Sequence, residues 1–108
     1  MELMTIPAVA EALGIGVSRV HQLIRDGDLI EARDEDGIRC VPASLVQDGE
    51  VVKSAPAVIT LLRDAKFTDA EIVDWLYRED ESLPGSPIEA LRANRGSEVK
   101  RRAQVAGY

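Results

Sequence analysis

Residues 4–27 hold two short amphipathic segments separated only by Gly14-Ile15-Gly16 and closed by Gly27, and this spacing constrains the fold more than any other feature. The first segment, residues 4–13, has Thr5 as a helix cap and Pro7 in the first turn, where a missing N–H is tolerated. Met4 and Val9 are spaced as a hydrophobic staple, and Ala8, Val9, Ala12 and Leu13 form the apolar stripe. Gly14 ends the helix, because glycine takes the left-handed conformation without steric cost. The second segment, Val17–Asp26, sets Val17, Val20, Leu23 and Ile24 on one face at helical spacing. Its opposite face carries Ser18, Gln22 and Arg25, with Arg19 and His21 on the flanks, and Gly27 is the stop.

Two short helices joined by a tight glycine-containing turn form a unit whose second helix can enter a DNA major groove. The same shape also serves as a plain packing unit. The residues after Gly27 narrow the choice. In residues 29–41, Leu29, Ile30 and Ala32 precede the polar turn Asp34-Glu35-Asp36-Gly37, and Ile38, Cys40 and Val41 come after it. Asp-Gly between two apolar runs predicts a hairpin, the position of a wing. In its second strand Cys40 alternates inward with Ile38 as a small core residue, and Pro42 ends the strand. Residues 43–46 read as one helical turn and 47–49 as a loop.

The rest reads as helices. Residues 56–65 present Val58, Ile59, Leu61 and Leu62 on one face. Thr68 and Glu71 form a capping box that opens a helix to about Tyr77, with Ile72, Val73, Trp75 and Leu76 inside it. Residues 78–85 are a polar linker. A second capping box, Ser86 to Glu89, starts a short helix ending near Arg95-Gly96, and Ser97 caps a last helix over 98–106. The expected fold is mainly α with a small β-hairpin wing. A winged helix-turn-helix occupies residues 1–53, and a helical C-terminal bundle segment occupies 54–108.

Residues 3–46 resemble the excisionase-like, MerR-type winged helix-turn-helix. The pieces that carry the likeness are Thr5, Val9-Ala10, Leu13-Gly14, Leu23-Ile24-Arg25-Asp26-Gly27-Asp28-Leu29, and Val41-Pro42-Ala43-Ser44-Leu45. The segments 49–77 and 86–108 are similar to a narrower group, actinobacterial winged-helix DNA-binding proteins with a helical C-terminal domain. A further likeness joins the Trp75-Leu76 helix and the Pro87-led helix to the toxin-binding end of certain antitoxins.

The family's docking implies that double-stranded DNA is the partner. Arg19 or Arg25 would hold guanine through N7 and O6, and Gln22 would pair with adenine by the same two-point geometry. Ser18, near the helix N-terminus, suits a phosphate, and His21 could add another contact or act as a partly buried spacer against the wing. Arg33 and Arg39 flank the wing turn as backbone or minor-groove contacts, or else are solvated strand arginines.

Charge complicates this picture, because the chain has a formal net charge of −6. Residues 1–53 hold five Lys and Arg against ten Asp and Glu, while residues 16–25 hold Arg19 and Arg25 and no acid. The reading helix can therefore be locally positive in a negative domain, since charges are screened beyond about 8 Å at physiological salt. The wing tip, Asp34-Glu35-Asp36, departs from the glycine and basic or aromatic residues usual in the family. It would be repelled by phosphates. With Arg19, Arg25, Arg33 and Arg39 as the usable cations, non-specific affinity is expected no tighter than about 10⁻⁴ to 10⁻⁶ M. Tight specific binding then calls for a homodimer, for which the C-terminal helices could serve. Near the end, Arg92, Arg95, Lys100, Arg101 and Arg102 face only Glu98, as an auxiliary phosphate contact or as cations complementing a helix dipole.

One Cys and one His cannot supply a metal site, and no phosphate loop or catalytic set is visible, so no metal, cofactor or enzymatic activity is expected. The single cysteine fits a reducing compartment, and no apolar run is long enough to span a membrane, so the cytoplasm is the expected location. Thr5, Ser18 and Thr68 are candidate phosphorylation sites, where a phosphate on Thr5 or Ser18 would oppose DNA approach. The expected function is sequence-specific DNA binding in transcriptional regulation. The alternatives are a protein-interaction adaptor that keeps the winged-helix shape for a protein partner, and a DNA-bending recombination accessory factor.

Overall fold

Gly14 and Gly27 both take the left-handed conformation, at φ 68° and 83°, and they end α1 (Ile6–Leu13) and α2 (Val17–Asp26). The computed structural model that shows this describes residues 1–79 and 85–107. Thr5 caps α1, its hydroxyl accepting the Ala8 amide at 3.3 Å. The helix expected from residue 4 begins at Ile6 instead, because Leu3–Thr5 is a strand, β1. The cap residue needs extended backbone (φ −68°, ψ 160°), and that carries the preceding residues into sheet pairing. The buried stripe shifts accordingly. Ile6, Val9 and Ala10 are buried and Leu13 half-buried, whereas Ala12 is exposed. On α2, Val20 and Ile24 are buried, but Val17 is 44% exposed, since it lies in the first turn before the helix meets the core.

The wing hairpin is present as β2 (Ala32–Arg33) and β3 (Arg39–Pro42), in an antiparallel sheet of order β1-β3-β2. Met4 lies opposite Val41, and Thr5 opposite Cys40. Cys40 is buried as expected, but Ile38 does not share its face and is 53% exposed. Ile38 belongs to the turn. Its amide donates to Asp34 Oδ1 at 2.9 Å, its carbonyl accepts the Asp34 amide at 3.0 Å, and the strand starts one residue later. After the 3-10 turn Ala43–Leu45, the loop expected at 47–49 is the tip of a second hairpin, β4 (Val46–Gln47) with β5 (Glu50–Val51). Asp48 and Gly49 both have positive φ, 53° and 76°, as a type I′ turn requires.

Among the described residues that follow are four α-helices: α3 (Ala55–Asp64), α4 (Asp69–Tyr77), α5 (Pro87–Arg92) and α6 (Gly96–Val105). The Thr68–Glu71 capping box is complete in both directions. Ser86 accepts the Glu89 amide and donates its hydroxyl to the Glu89 carboxylate. Most of the expected polar linker, residues 80–84, lies outside the described residues. Gly96 is not a stop between helices but the first residue of α6, and Ser97 is not its cap. A Cβ at Gly96 would lie 2.4 Å from Ser54 Oγ, so this glycine permits close packing; Asn94, at φ 63°, makes the left-handed turn after α5.

One cluster of buried side chains joins the two halves, from Val9, Val20, Ile24 and Leu45 to Val58, Ile59, Leu62, Leu91 and Val99. Fully burying an aliphatic side chain contributes about 1.5–3 kcal/mol, and Val58, Ile59 and Leu62 of α3 all have 0% exposure. The C-terminal helices therefore use their apolar faces inward. Among the described residues, Val105 is the one exposed large hydrophobic on them.

Candidate nucleic-acid interface

The outward face of α2 starts at an uncapped end. Gly16 offers no side-chain acceptor, and no acid lies in the first turn, so the free N–H groups there favour an anion. Ser18, Gln22 and Arg25 succeed one another at i, i+4 and i+7 and share one stripe, with Arg19 beside it. All four are exposed. Their side chains form no hydrogen bond or ion pair with any described residue.

The remaining three candidates are engaged. His21 is half-buried, with Nδ1 3.4 Å from Arg39 Nη1, so it packs on the wing. Arg39 Nε donates to Glu31 Oε1 at 2.6 Å. Arg33 Nη2 lies 3.2 Å from the same oxygen, and Arg33 Nη1 donates to the Gly37 carbonyl at 2.9 Å. Both wing cations thus share one carboxylate. Ion pairs this exposed contribute about 0–1 kcal/mol each and can be exchanged for others.

At the wing tip, Asp34 Oδ1 accepts the Asp36 and Ile38 amides, both at 2.9 Å. One of the tip acids therefore builds the turn, while Glu35 and Asp36 are exposed. Burial, and then the negative charge of Asp34, pushes the Cys40 thiol up from its ordinary value, so it stays protonated at neutral pH.

Sequence reasoning missed Arg63. From α3 its guanidinium donates to the carbonyls of Ile24 at 3.2 Å and Arg25 at 3.4 Å, at the C-terminal end of α2. The signal was a cation on a helix beyond the Gly27 stop, but a contact 39 residues apart leaves no local pattern. The closing basic cluster is dispersed. Arg92 donates to the carbonyls of Ser44 and Val46, Arg95 pairs with Glu98 at 3.7 Å, Lys100 and Arg102 are half-buried, and Arg101 is exposed. Among the described residues no group of three or more His, Cys, Asp or Glu is placed to hold a metal ion. No described helix is long and apolar enough to cross a membrane.

Residues 1–46 match a family described as "DNA-binding protein Rv2175c, wHTH domain", and residues 52–107 match "Rv2175c C-terminal domain of unknown function". The DNA-binding protein Rv2175c of Mycobacterium tuberculosis (strain ATCC 25618 / H37Rv) is 39% identical over 115 residues, spanning 95% of this chain and 79% of the relative. The NMR structure of Rv2175c superposes with a TM-score of 0.89 at 37% identity, over 99% of this chain and 82% of that one. The mainly helical fold with a small hairpin wing, expected from the residues, is the fold these relatives share. This chain belongs to the Rv2175c family, with its winged helix-turn-helix and its C-terminal domain in the same order.

Proposed function

We propose that this chain binds double-stranded DNA sequence-specifically, with α2 in the major groove, and acts as a transcriptional regulator. One observation carries the reading: Ser18, Arg19, Gln22 and Arg25 stand exposed on a single helix that holds no acid before its last residue, Asp26, and none of them is engaged within the described protein. A planar guanidinium and a primary amide at these positions are the groups that read guanine and adenine edges. The relative's name, a DNA-binding protein, supports the same ligand.

The test is a titration at fixed salt against a duplex selected from a random pool. Arg19→Ala and Gln22→Ala should each weaken binding by about 1–3 kcal/mol. No loss in either variant would remove α2 from the reading role. The wing adds little positive charge while Glu31 holds Arg33 and Arg39, so the salt dependence should be shallow for a DNA-binding domain. A homodimer through α3 to α6 would have to use polar faces, because their apolar faces lie in the shared core. The half-sites of such a dimer would be about one helical turn apart.

A protein-interaction adaptor is the second reading. Exposed Ile38 beside Glu35 and Asp36 favours it, since an apolar side chain in an acidic rim suits a basic protein segment better than a phosphate backbone. Indifference to random duplex and to heparin at low salt would favour the adaptor. A DNA-bending accessory role uses the same α2 face and is distinguished by measuring the bend in the bound duplex.

A further inference from the structure

We infer that Arg63 is a positioning residue for DNA reading: through it, the C-terminal domain holds the last turn of α2 at a fixed height and rotation against the rest of the molecule. The inference rests on α2 being the reading helix. The last carbonyls of a helix lack intrahelical partners and carry its negative pole. In α2 the Leu23 carbonyl receives the amides of Asp28 and Leu29, and the Ile24 carbonyl receives that of Gly27. Arg63 adds a second donor to Ile24 and reaches the carbonyl of Arg25. Arg25 is also the residue whose side chain points outward for a base edge, so Arg63 grips the backbone of a candidate reader.

The surroundings are built for this contact. Arg63 is 28% exposed, and Asp69, in the first turn of α4, lies 3.5 Å from its Nη2 and orients the guanidinium. Gly27 leaves the guanidinium its room. A Cβ there would sit 3.2 Å from Arg63 Nη1 and 3.4 Å from Thr60 Oγ1, so glycine serves close approach as well as its φ of 83°. The result is a continuous path from α4 through Asp69 and Arg63 to the backbone of Arg25. Bidentate base contacts demand fixed side-chain geometry, and a helix end that rocks would degrade them while leaving diffuse attraction to phosphates intact. Because its guanidinium is directed at carbonyls, Arg63 adds no phosphate contact.

The test compares the unsubstituted 108-residue chain with Arg63→Met, Arg63→Lys and Asp69→Asn at a temperature where circular dichroism shows each to be folded. Affinity is measured for a duplex selected with the unsubstituted chain and for a random duplex, each across a salt series. Arg63→Met should lose about tenfold for the selected duplex, the worth of a charge-assisted hydrogen bond. Random-duplex affinity and the slope of log K against log salt should not change. Arg63→Lys, which can reach one carbonyl, should recover part of the loss, and Asp69→Asn should lose less than Arg63→Met. Equal losses on both duplexes with a slope shallower by about 0.9 would make Arg63 a phosphate contact and overturn the inference. So would unchanged affinity for the selected duplex. Amide hydrogen exchange provides a DNA-free measurement, in which Arg63→Lys should speed exchange at Gly27, Asp28 and Leu29 more than within α6. If the unsubstituted chain binds no duplex, the DNA reading fails by itself. Unaltered exchange in Arg63→Lys refutes the brace independently.

Discussion

Glu31 Oε1 lies 2.6 Å from Arg39 Nε. The same oxygen takes Arg33 at 3.2 Å, so one carboxylate at the base of the wing holds both of the wing's arginines. Phosphates approaching the wing must compete with Glu31 for these guanidinium groups. In this way a winged helix can carry two arginines on its wing and still present little net positive charge.

Glu31→Gln should therefore strengthen binding to random duplex and steepen its salt dependence. Freed for phosphate, Arg33 and Arg39 would change the slope of log K against log salt by up to about 2. The change should vanish when Arg33→Ala and Arg39→Ala are added. A Glu31→Gln chain with an unaltered slope would show that the wing stays off the duplex whatever its charge.

Packing at the start of α6 gives a prediction that does not depend on DNA. Gly96→Ala would drive a methyl group to within 2.4 Å of Ser54 Oγ and 2.6 Å of Ser54 Cβ. Overpacking of this kind costs about 1–3 kcal/mol, read as a lower urea midpoint at unchanged m-value. Ser54 itself sits at φ 73° and makes no side-chain cap hydrogen bond to α3. Ser54→Gly should therefore be neutral or stabilise by about 1 kcal/mol, and it should rescue Gly96→Ala in the double variant.

Features with local causes were legible in the residue order. Thr5, Thr68 and Ser86 cap helices because each is a hydroxyl three residues ahead of the amide it receives. Gly14 and Gly27 end helices by φ alone. The α2 stripe of Ser18, Gln22 and Arg25 comes from helical periodicity. What was not legible depends on partners distant in sequence. Leu3–Thr5 is too short to announce a strand, and its pairing with Cys40–Pro42 is what makes it one. Gly96 resembles a helix stop until Ser54 is seen against it. The engagement of Arg33 and Arg39 depends on Glu31 reaching across the hairpin, which depends on a register that alternation misassigned at Ile38. Asp48-Gly49 carried a hairpin signal, but its flanking strands of two residues each were too short to read as apolar runs.

The Thr68–Glu71 box predicts a pH dependence. The Thr68 backbone amide, and then its hydroxyl, hold the Glu71 carboxyl below its ordinary value of 4.5. A depressed folded-state pKa means that the ionised form favours the fold. Its contribution is therefore present above pH 4.5 and is lost as pH falls through the lower folded value. Glu71→Gln should be less stable than the unsubstituted chain at neutral pH, and the difference in melting temperature should shrink as the pH is lowered below 4.5. A difference near zero across that window would show that the hydrogen bond, which a glutamine oxygen can also accept, and not the charge, is what α4 needs.

The wing tip separates charge from structure at a single residue. Asp34 Oδ1 acts only as an acceptor, for the amides of Asp36 and Ile38 at 2.9 Å. An asparagine oxygen can accept the same two amides, so Asp34→Asn should keep the turn while removing one negative charge. Asp34→Ala removes the one oxygen that accepts both amides and should destabilise the chain by about 0.5–2 kcal/mol, as loss of a helix cap does. If the tip approaches phosphates, Asp34→Asn should tighten low-salt binding to random duplex and leave the urea midpoint in place. Adding Glu35→Gln and Asp36→Asn should tighten it further, because these two exposed carboxylates have no role in the turn's hydrogen bonds. If affinity stays flat across all three substitutions while Glu31→Gln still raises it, the base of the wing would lie near the duplex and its tip would point away. The acidic turn, with exposed Ile38 beside it, would then be free for a different partner.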